Sequence, residues 1–559
     1  MRGRPPSDFR GVYRDDAEAR AVYSEAAGIG QIIPAAVAVP VDADDVVTLV
    51  RWAARERVPL IPRGSGSSMA GGAIGHGLIV DLSRLNWTDR PDAATNTVRC
   101  GPGALRKRID TDARSVDRIF PVDPSSGAYC TLGGMASTNS AGSHSLRYGA
   151  MRPWVEALDC VFADGSRGEV RRGVPAPDVE PVRRFLAIAG QLRDAEGAAP
   201  SRHAGVRKES SGYGLSTFAQ SGELVDLLVG SEGTLVLIVG LELRLAPLLP
   251  FTASILGAFD SVDDAVRAAS GAREAGASAC ELIDRTFLDV ARRGGFPVPA
   301  PETAESVLLA EVDGDSHEAC VRAIAAVDAS FRSAGATTVT LGLDESTQHA
   351  IWELRHAASP ILNRLDPSLK SMQFIEDGCV PPDRLGDYVR GVRAALEAHD
   401  TRGVIFGHAG DAHVHVNPLV DVRRADWRER VDGLLRDVTA LVAELGGTVA
   451  GEHGDGRLRA PLLDRVWPAA SLERFAAVKH AFDPDGVLNP GVKLPPTSDV
   501  ALADVKYDPA LPPLPPSARL ALTAVERDRA YDRSRLELLD QFAAAPAVAP
   551  EPRPATDLD

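Results

Sequence analysis

Residues Pro62–Gly72, PRGSGSSMAGG, lie between two short apolar stretches, Val58–Pro62 and Gly77–Leu82, with no helical pattern between them. A turn this poor in bulky side chains lets backbone N–H groups approach a bound group, and a nest of such groups is one way a chain holds a pyrophosphate. The order is strand, turn, strand. It is neither G-x-G-x-x-G opening a helix nor G-x-x-x-x-G-K-[ST], so the Rossmann and Walker readings both fail on spacing and context. Taken alone, the stretch is equally a glycine-rich surface turn.

The rest of the first half follows the same texture. Asp42–Glu56 opens on acidic cap residues and carries Val46, Val47, Val50 and Ala54 at helical spacing, which predicts a helix. Thr131–Gly149 is so rich in turn formers that it is expected as a loop over the surface or along a ligand. Gly205–Gln220 reads as another loop, after a charge-rich, exposed stretch over 168–200. The β-patterned run Gly233–Leu248 closes a first domain, 31–248, behind an N-terminal arm of 1–30.

After Pro250 the pattern becomes strand, helix, strand, twice over: SILGAF, Asp263–Ala275, ACELID, then SVLLAEV, His317–Ala334, TTVTLGL. Two such units predict an α+β layer of antiparallel strands with helices on one face. This second domain runs over 249–494, and 495–559 holds a proline-rich linker, one helix over Ser517–Phe542 and a disordered tail. Composition narrows the function. Hydrophobic residues at 44% and charged residues at 25% are globular values. A net charge of −16 disfavours nucleic acid as a partner. The six cysteines lie far apart without a C-x-x-C pair, so they outline no iron–sulfur cluster or zinc ribbon and are expected to be reduced. No signal peptide is evident, nor an apolar run long enough to span a bilayer, which predicts a cytoplasmic protein with at most peripheral contact with the inner membrane.

Twelve histidines are spread over the chain, yet three fall within GHAGDAHVH (Gly407–His415) and another lies beside a glutamate in GEHGDG (Gly451–Gly456). If the first motif is a hairpin about Asp411–Ala412, His408 faces His415 and His413 shares their face. His, His and Glu with an open coordination position suit a divalent metal acting as a Lewis acid.

Four stretches in order, PRGSGSS, DPSSGAYCTLGGMASTNSAGSHSLRYGA, VRKESSGYGL and LVGSEGTLVLI, resemble the flavin-binding domain of the vanillyl-alcohol-oxidase-like, PCMH-type FAD proteins across nearly the whole first half. The resemblance implies that Arg63, Gly64, Ser65, Gly66 and Ser67 cradle the pyrophosphate. It places Pro124, Gly133, Gly134, Ser137, Asn139, Ala141 and Gly142 along the cofactor, with Glu232, Gly233 and Ile238 on the adenosine and ribitol side. Arg63–Ala70 contains no His or Cys, so FAD is expected to be non-covalent, with His76 and Cys130 keeping a covalent link open.

The second half resembles the FAD-linked oxidase C-terminal domain of the D-lactate, glycolate and D-2-hydroxyglutarate dehydrogenases, through ELIDRTFLDV (281–290), WELRHAAS (352–359), the two histidine motifs and FDPDGVLNPGVKL (482–494). That implies His408, His415 and Glu452 as ligands of a divalent metal, Zn or Mn, His453 as catalytic base, Arg355 on the substrate carboxylate and Asn489 near the flavin. The implied fold is α+β: a two-part flavin domain, an α+β substrate domain with an antiparallel sheet, and a C-terminal helical segment returning to the flavin domain. There are departures. His413 stands where the family usually has an asparagine, and is open between a ligand, a partner of one and a bystander. Lys370 lies too early in FIEDGCVP's neighbourhood to match the family's substrate lysine. IEDGCVP and GEHGDG look most like the flavin halves of large bacterial fusions with an iron–sulfur module, of which this sequence has none.

The implied activity is oxidation of a small D-2-hydroxy acid to the 2-oxo acid. Electrons would go to an external acceptor: an electron-transfer flavoprotein, a quinone, a cytochrome, a separate iron–sulfur protein, or dioxygen. A homodimer is compatible with it. Two alternatives stand beside it: an alkylglycerone-phosphate-synthase-like transferase and a non-catalytic flavin subunit of a larger redox complex.

Overall fold

The computed structural model describes residues 5–356, 368–496 and 503–543. Its first layer is a small sheet in the order Val12–Arg14, Ala36–Val39, Leu78–Asp81, Leu60–Arg63. The last three strands are parallel, with Leu78 opposite both Ala36 and Leu60. Parallel neighbours need a long connection, and here the glycine-rich loop 64–77 supplies it in place of a helix. Such a sheet must be covered on both faces, and alternate residues divide accordingly. Ala36, Ala38, Leu60, Leu78 and Val80 pack on the helix Ala43–Glu56. Val37, Val39, Ile61 and Ile79 pack on residues 518–539. The expected helix is therefore present, and its cap Asp42 accepts from the N–H groups of Asp44 and Asp45.

A second sheet, Thr97–Cys100, Val236–Arg244, Val155–Phe162, Arg167–Arg171, is antiparallel throughout. Two loop expectations and one of an exposed stretch fail here, each because a short apolar stripe outweighs the polar composition around it. Within 168–200 the helix Glu180–Ala198 buries Val182, Phe185, Ala189 and Leu192 on one face. Thr131–Gly149 holds two short helices, Leu132–Thr138 and Ser145–Tyr148, the first burying Leu132, Met135 and Ala136 at helical spacing and ending at Asn139, whose φ is 51°. Leu215–Ser221 is helical and buries Leu215 and Phe218.

The third sheet has eight strands. Seven run in the order Thr338–Gly342, Phe251–Phe259, Ser306–Gly314, Ala279–Asp284, Arg402–Gly407, His413–Asp421, Leu369–Ser371, and Gly378–Cys379 pairs with His413–Asp421. Every pairing is antiparallel, as the repeated pattern predicts. The helices Val262–Glu274 and His317–Ser333 share one face with Ile255, Leu308 and Ala310. The other face is not bare: Arg285–Arg293 and Glu345–His356 cover Leu256, Ile283 and Leu309.

The single C-terminal helix expected over Ser517–Phe542 is two, Pro516–Asp528 and Arg535–Ala543, broken where Arg529 turns left-handed at φ 51°. Most of the tail expected to be disordered, 544–559, lies outside the described residues. No helix among the described residues is long and apolar enough to cross a membrane. Phe331 is fully buried and packs edge-on against Phe259 under the third sheet. Phe331→Ala should lower stability by about 3–5 kcal/mol, measured as a shift of the urea midpoint at unchanged slope.

Candidate active site

One cavity of about 1620 Å³ joins the flavin-type loops to the histidine motifs. Small-molecule pockets occupy about 300–1,000 Å³, so this one has room for a dinucleotide and a small substrate together. Of the residues that the sequence assigns to the cofactor, Arg63, Gly64, Ser65, Gly66, Ser67, Pro124, Gly133, Gly134, Ser137, Ala141, Glu232, Gly233 and Ile238 line it. Asn139, Gly142 and Asn489 do not. Asn139 accepts from the Arg152 N–H (2.9 Å), and Gly142 approaches the Asp123 backbone so closely that a Cβ would collide. Asn489 donates to the Glu232 carbonyl (2.7 Å) and accepts from Arg457 (2.8 Å), so it braces two loops against each other.

The loop 64–68 has the form an anion needs. No N–H from Gly64 to Ser68 donates a hydrogen bond within the described residues, whereas the Gly66 and Ser68 carbonyls are held by Ala27 N–H (3.0 Å) and Gly28 N–H (3.2 Å). The Ser68 hydroxyl is buried without a partner. At Gly66, φ is 74°, and an added Cβ would meet the Arg63 guanidinium beneath it. The Arg63 side chain therefore supports the loop from within, donating to the carbonyls of Glu25 (2.8 Å), Tyr23 and Ala73 (both 3.3 Å), where the sequence implied a direct hold on the pyrophosphate. These features fit a diphosphate bound through backbone amides. His76 is exposed and off the cavity; Cys130 lines it, its thiol pushed up to about 11 by burial.

At the other end the hairpin forms, but in a different register. Phe406 pairs with His415, because a tight helical turn at Ala409–Asp411 and a left-handed Ala412 (φ 55°) replace the two-residue turn. His408 thus faces His413, whose N–H donates to its carbonyl (3.2 Å). A slip of two residues leaves every side chain on its original face, so all three rings still converge, with centroids 5.3 Å (408–413), 5.2 Å (408–415) and 4.8 Å (413–415) apart.

Each ring is oriented by an acceptor on one nitrogen. His408 Nδ1 donates to Glu281 (2.5 Å), His413 Nε2 to Asp377 (2.8 Å) and His415 Nδ1 to the Glu376 carbonyl (2.8 Å). That leaves His408 Nε2 3.1 Å and His415 Nε2 3.5 Å from Glu452 Oε1, and His413 Nδ1 buried with no partner. Ligand-capable atoms of His408, His413, His415 and Glu452 lie within 4.8 Å of one another. Imidazoles held this way are the usual surroundings of a divalent ion, and the orphaned nitrogen adds a fourth donor, so the set fits one. Burial pushes His413 down to about 4, which keeps it neutral. Burial alone would raise Glu452, but Lys208 and His408 hold it well below the usual carboxylate range.

His453 and Arg355 line the cavity beside this cluster. His453 Nδ1 donates to Glu376 (2.7 Å), its ring stacks on His415 (5.3 Å), and its Nε2 lies 3.7 Å from Glu452. Burial opposes its charge, yet Glu376 and Asp377 prevail and raise it to about 10. Arg355 is buried, pairs with Glu281 through Nε (2.6 Å) and lies over Phe406. The sequence reading missed the partners: Glu281, Glu376, Asp377 and Lys208. The last is buried, 3.0 Å from Glu452 and 3.3 Å from the Gly142 carbonyl. Its signal was scarcity, since only six lysines occur in the chain.

A long cavity with free loop amides at one end and oriented imidazoles at the other is the geometry of an oxidoreductase that carries a flavin dinucleotide. Residues 34–171 match the FAD binding domain and 249–492 the FAD linked oxidases, C-terminal domain; the chain carries both domains of an FAD-linked oxidoreductase. Similar proteins include the glycolate oxidase subunit GlcD of Bacillus subtilis (29% identical, over 85% of this chain and 93% of that one). The D-lactate dehydrogenase of Archaeoglobus fulgidus is 27% identical over 87% and 96%. The D-2-hydroxyglutarate dehydrogenase of Escherichia coli is 28% identical over 84% of this chain but 49% of its own length. Among solved structures, 4-ethylphenol oxidase from Gulosibacter chungangensis aligns with a TM-score of 0.62 (15% identical, 86% and 94% covered), and alkyldihydroxyacetonephosphate synthase with 0.58 (14%, 86% and 82%). At that identity they share the fold.

Two outcomes follow from this geometry. Gly66→Leu should yield protein without flavin absorbance, because the side chain displaces Arg63 and distorts the nest. Lys208→Met should destabilise the metal-free protein by about 3–5 kcal/mol in urea unfolding, since it strips a buried carboxylate of its ammonium.

Proposed function

We propose that this flavoprotein oxidises a small D-2-hydroxy acid of the lactate, glycolate or 2-hydroxyglutarate class to the 2-oxo acid and passes the electrons to an external acceptor. The observation that carries the reading is the oriented imidazole–carboxylate cluster that shares one cavity with the glycine-rich loop 64–68, with Arg355 beside it. Relatives named for these three substrates support it. FAD, held without a covalent bond, supplies the two-electron acceptor for the hydrogen on the substrate's Cα. A divalent ion, Zn or Mn, held by His408, His415 and Glu452 would supply Lewis-acid polarisation of the hydroxyl and a positive charge opposing protonation of His453.

The chain's own residues do the rest. Arg355, steadied by Glu281, pairs with the substrate carboxylate and so fixes which face of Cα meets the flavin. His453, its Nδ1 held by Glu376, accepts the hydroxyl proton at Nε2, a contribution of about 10²–10⁴-fold for general-base catalysis. His408, His413 and His415 are locked in single orientations by Glu281, Asp377 and the Glu376 carbonyl, so the site is organised before substrate arrives. All six cysteines are buried and unpaired, so the acceptor of the electrons is sought outside: an electron-transfer flavoprotein, a quinone, a cytochrome or a separate iron–sulfur protein.

An anaerobic panel of D- and L-2-hydroxy acids, scored by flavin bleaching, tests the reading; no bleaching by any D-acid would refute it. His453→Asn should keep FAD and metal content yet slow single-turnover reduction by about 10²-fold or more. A histidine that only braces its loop would instead lose metal or flavin along with the rate. Chelation should leave the flavin bound and stop reduction, with recovery on adding Zn²⁺ or Mn²⁺.

A further inference from the structure

The segment 503–543 lies beyond both family matches, which end at residue 492, yet it is built into the flavin domain. Val505 bridges to Gly30, and Lys506 N–H donates to the Ile29 carbonyl (2.8 Å). Its two helices provide the second face of the small parallel sheet, covering Val37, Val39, Ile61 and Ile79. Ile61 belongs to the strand that delivers the loop 64–68.

Arg535 connects this cover to the loop itself. Its side chain is buried, donates Nη2 to the Ser65 carbonyl (3.0 Å) and Nη1 to the Ala530 carbonyl (3.1 Å), and lies over Tyr531 (5.3 Å). With Gly66 and Ser68 held by Ala27 and Gly28, three carbonyls of the loop are drawn inward, and the N–H groups from Gly64 to Ser68 are left without acceptors among the described residues. Beyond Arg535 the contacts continue along the cavity wall. Tyr531 packs on Tyr129 (ring centroids 5.3 Å), and Arg529 donates to the Tyr129 hydroxyl (2.5 Å) while lying over its ring. Tyr129, Arg529 and Tyr531 all line the same cavity as Ser65–Ser68.

We propose that 503–543 is a working wall of the dinucleotide site: Arg535 is a positioning residue that turns the loop amides toward the FAD diphosphate, and Arg529 with Tyr129 and Tyr531 closes the diphosphate end of the cavity. The assignment rests on FAD as the cofactor. A guanidinium at the rim that has no carboxylate partner among the described residues complements a dianionic diphosphate, and the tyrosine pair provides an apolar, hydrogen-bonding surface beside it.

The test uses full-length apoprotein of wild type, Arg535→Ala, Arg535→Lys and Arg529→Ala, titrated with FAD and with FMN by flavin fluorescence, with the melting temperature of each apoprotein recorded. FMN lacks the diphosphate bridge and the adenosine. Arg535→Ala should weaken FAD by about tenfold or more, Arg535→Lys by less, and Arg529→Ala by a few-fold, with FMN affinity unchanged in every case. Unchanged FAD affinity, or FAD and FMN weakened alike with a lower melting temperature, would overturn the proposal and leave the segment as a cover for the sheet. A wild-type apoprotein that binds no FAD would overturn the cofactor assignment itself, and the proposal with it.

Discussion

Buried charge across the junction of the two halves is the constraint on which the rest depends. Lys208 and Lys493 are both buried; Lys208 reaches Glu452, while Lys493 reaches Glu232 (3.0 Å) and Asp455 (3.2 Å). Glu232 in turn accepts from the N–H groups of Asp455 and Gly456. A buried ammonium or carboxylate is tolerable only when paired and hydrogen-bonded, so these pairs hold the GEHGDG turn against the flavin loops in one position. That position puts Glu452 and His453 at the cavity end instead of in solvent.

The same economy of charge shapes the chemistry. Four carboxylates, Glu281, Glu376, Asp377 and Glu452, converge on four histidines, with Arg355, Arg459 and Lys208 among them. Neutral His413 and strongly basic His453 differ because at the first burial, with Lys208 beside it, outweighs Asp377 and Glu452, whereas at the second Glu376, Asp377 and Glu452 outweigh burial. Within this charge-matched shell the ligand-capable atoms of His408, His413, His415 and Glu452 face one another, an arrangement that suits a divalent cation.

Much of the site was legible from local pattern. The glycine loops and the histidine motifs each lie within a few residues of chain, so they are visible as clusters, and the resemblance they carry is what implied a chemistry for them. The antiparallel layer was legible too, since alternating strand and helix patterns report which face is buried. The failures had a common cause: in Thr131–Gly149 and 168–200 a few apolar residues at helical spacing were outvoted by their neighbours, although burial of Leu132, Met135 and Phe185 decides the conformation. The hairpin register was missed because Ala412 takes a left-handed backbone that its residue type does not advertise.

The sequence by itself determined where the glycine-rich loops and the clustered histidines fall and that two family models match in order, because these are properties of neighbours along the chain. Only the tertiary structure decided what holds them. Glu281 lies 127 residues from His408, Lys208 lies 244 from Glu452 and Arg535 lies 470 from Ser65. Partners so far apart leave no periodic or spacing signal; they are chosen by burial, where each charged or polar group must find a counterpart once water is removed.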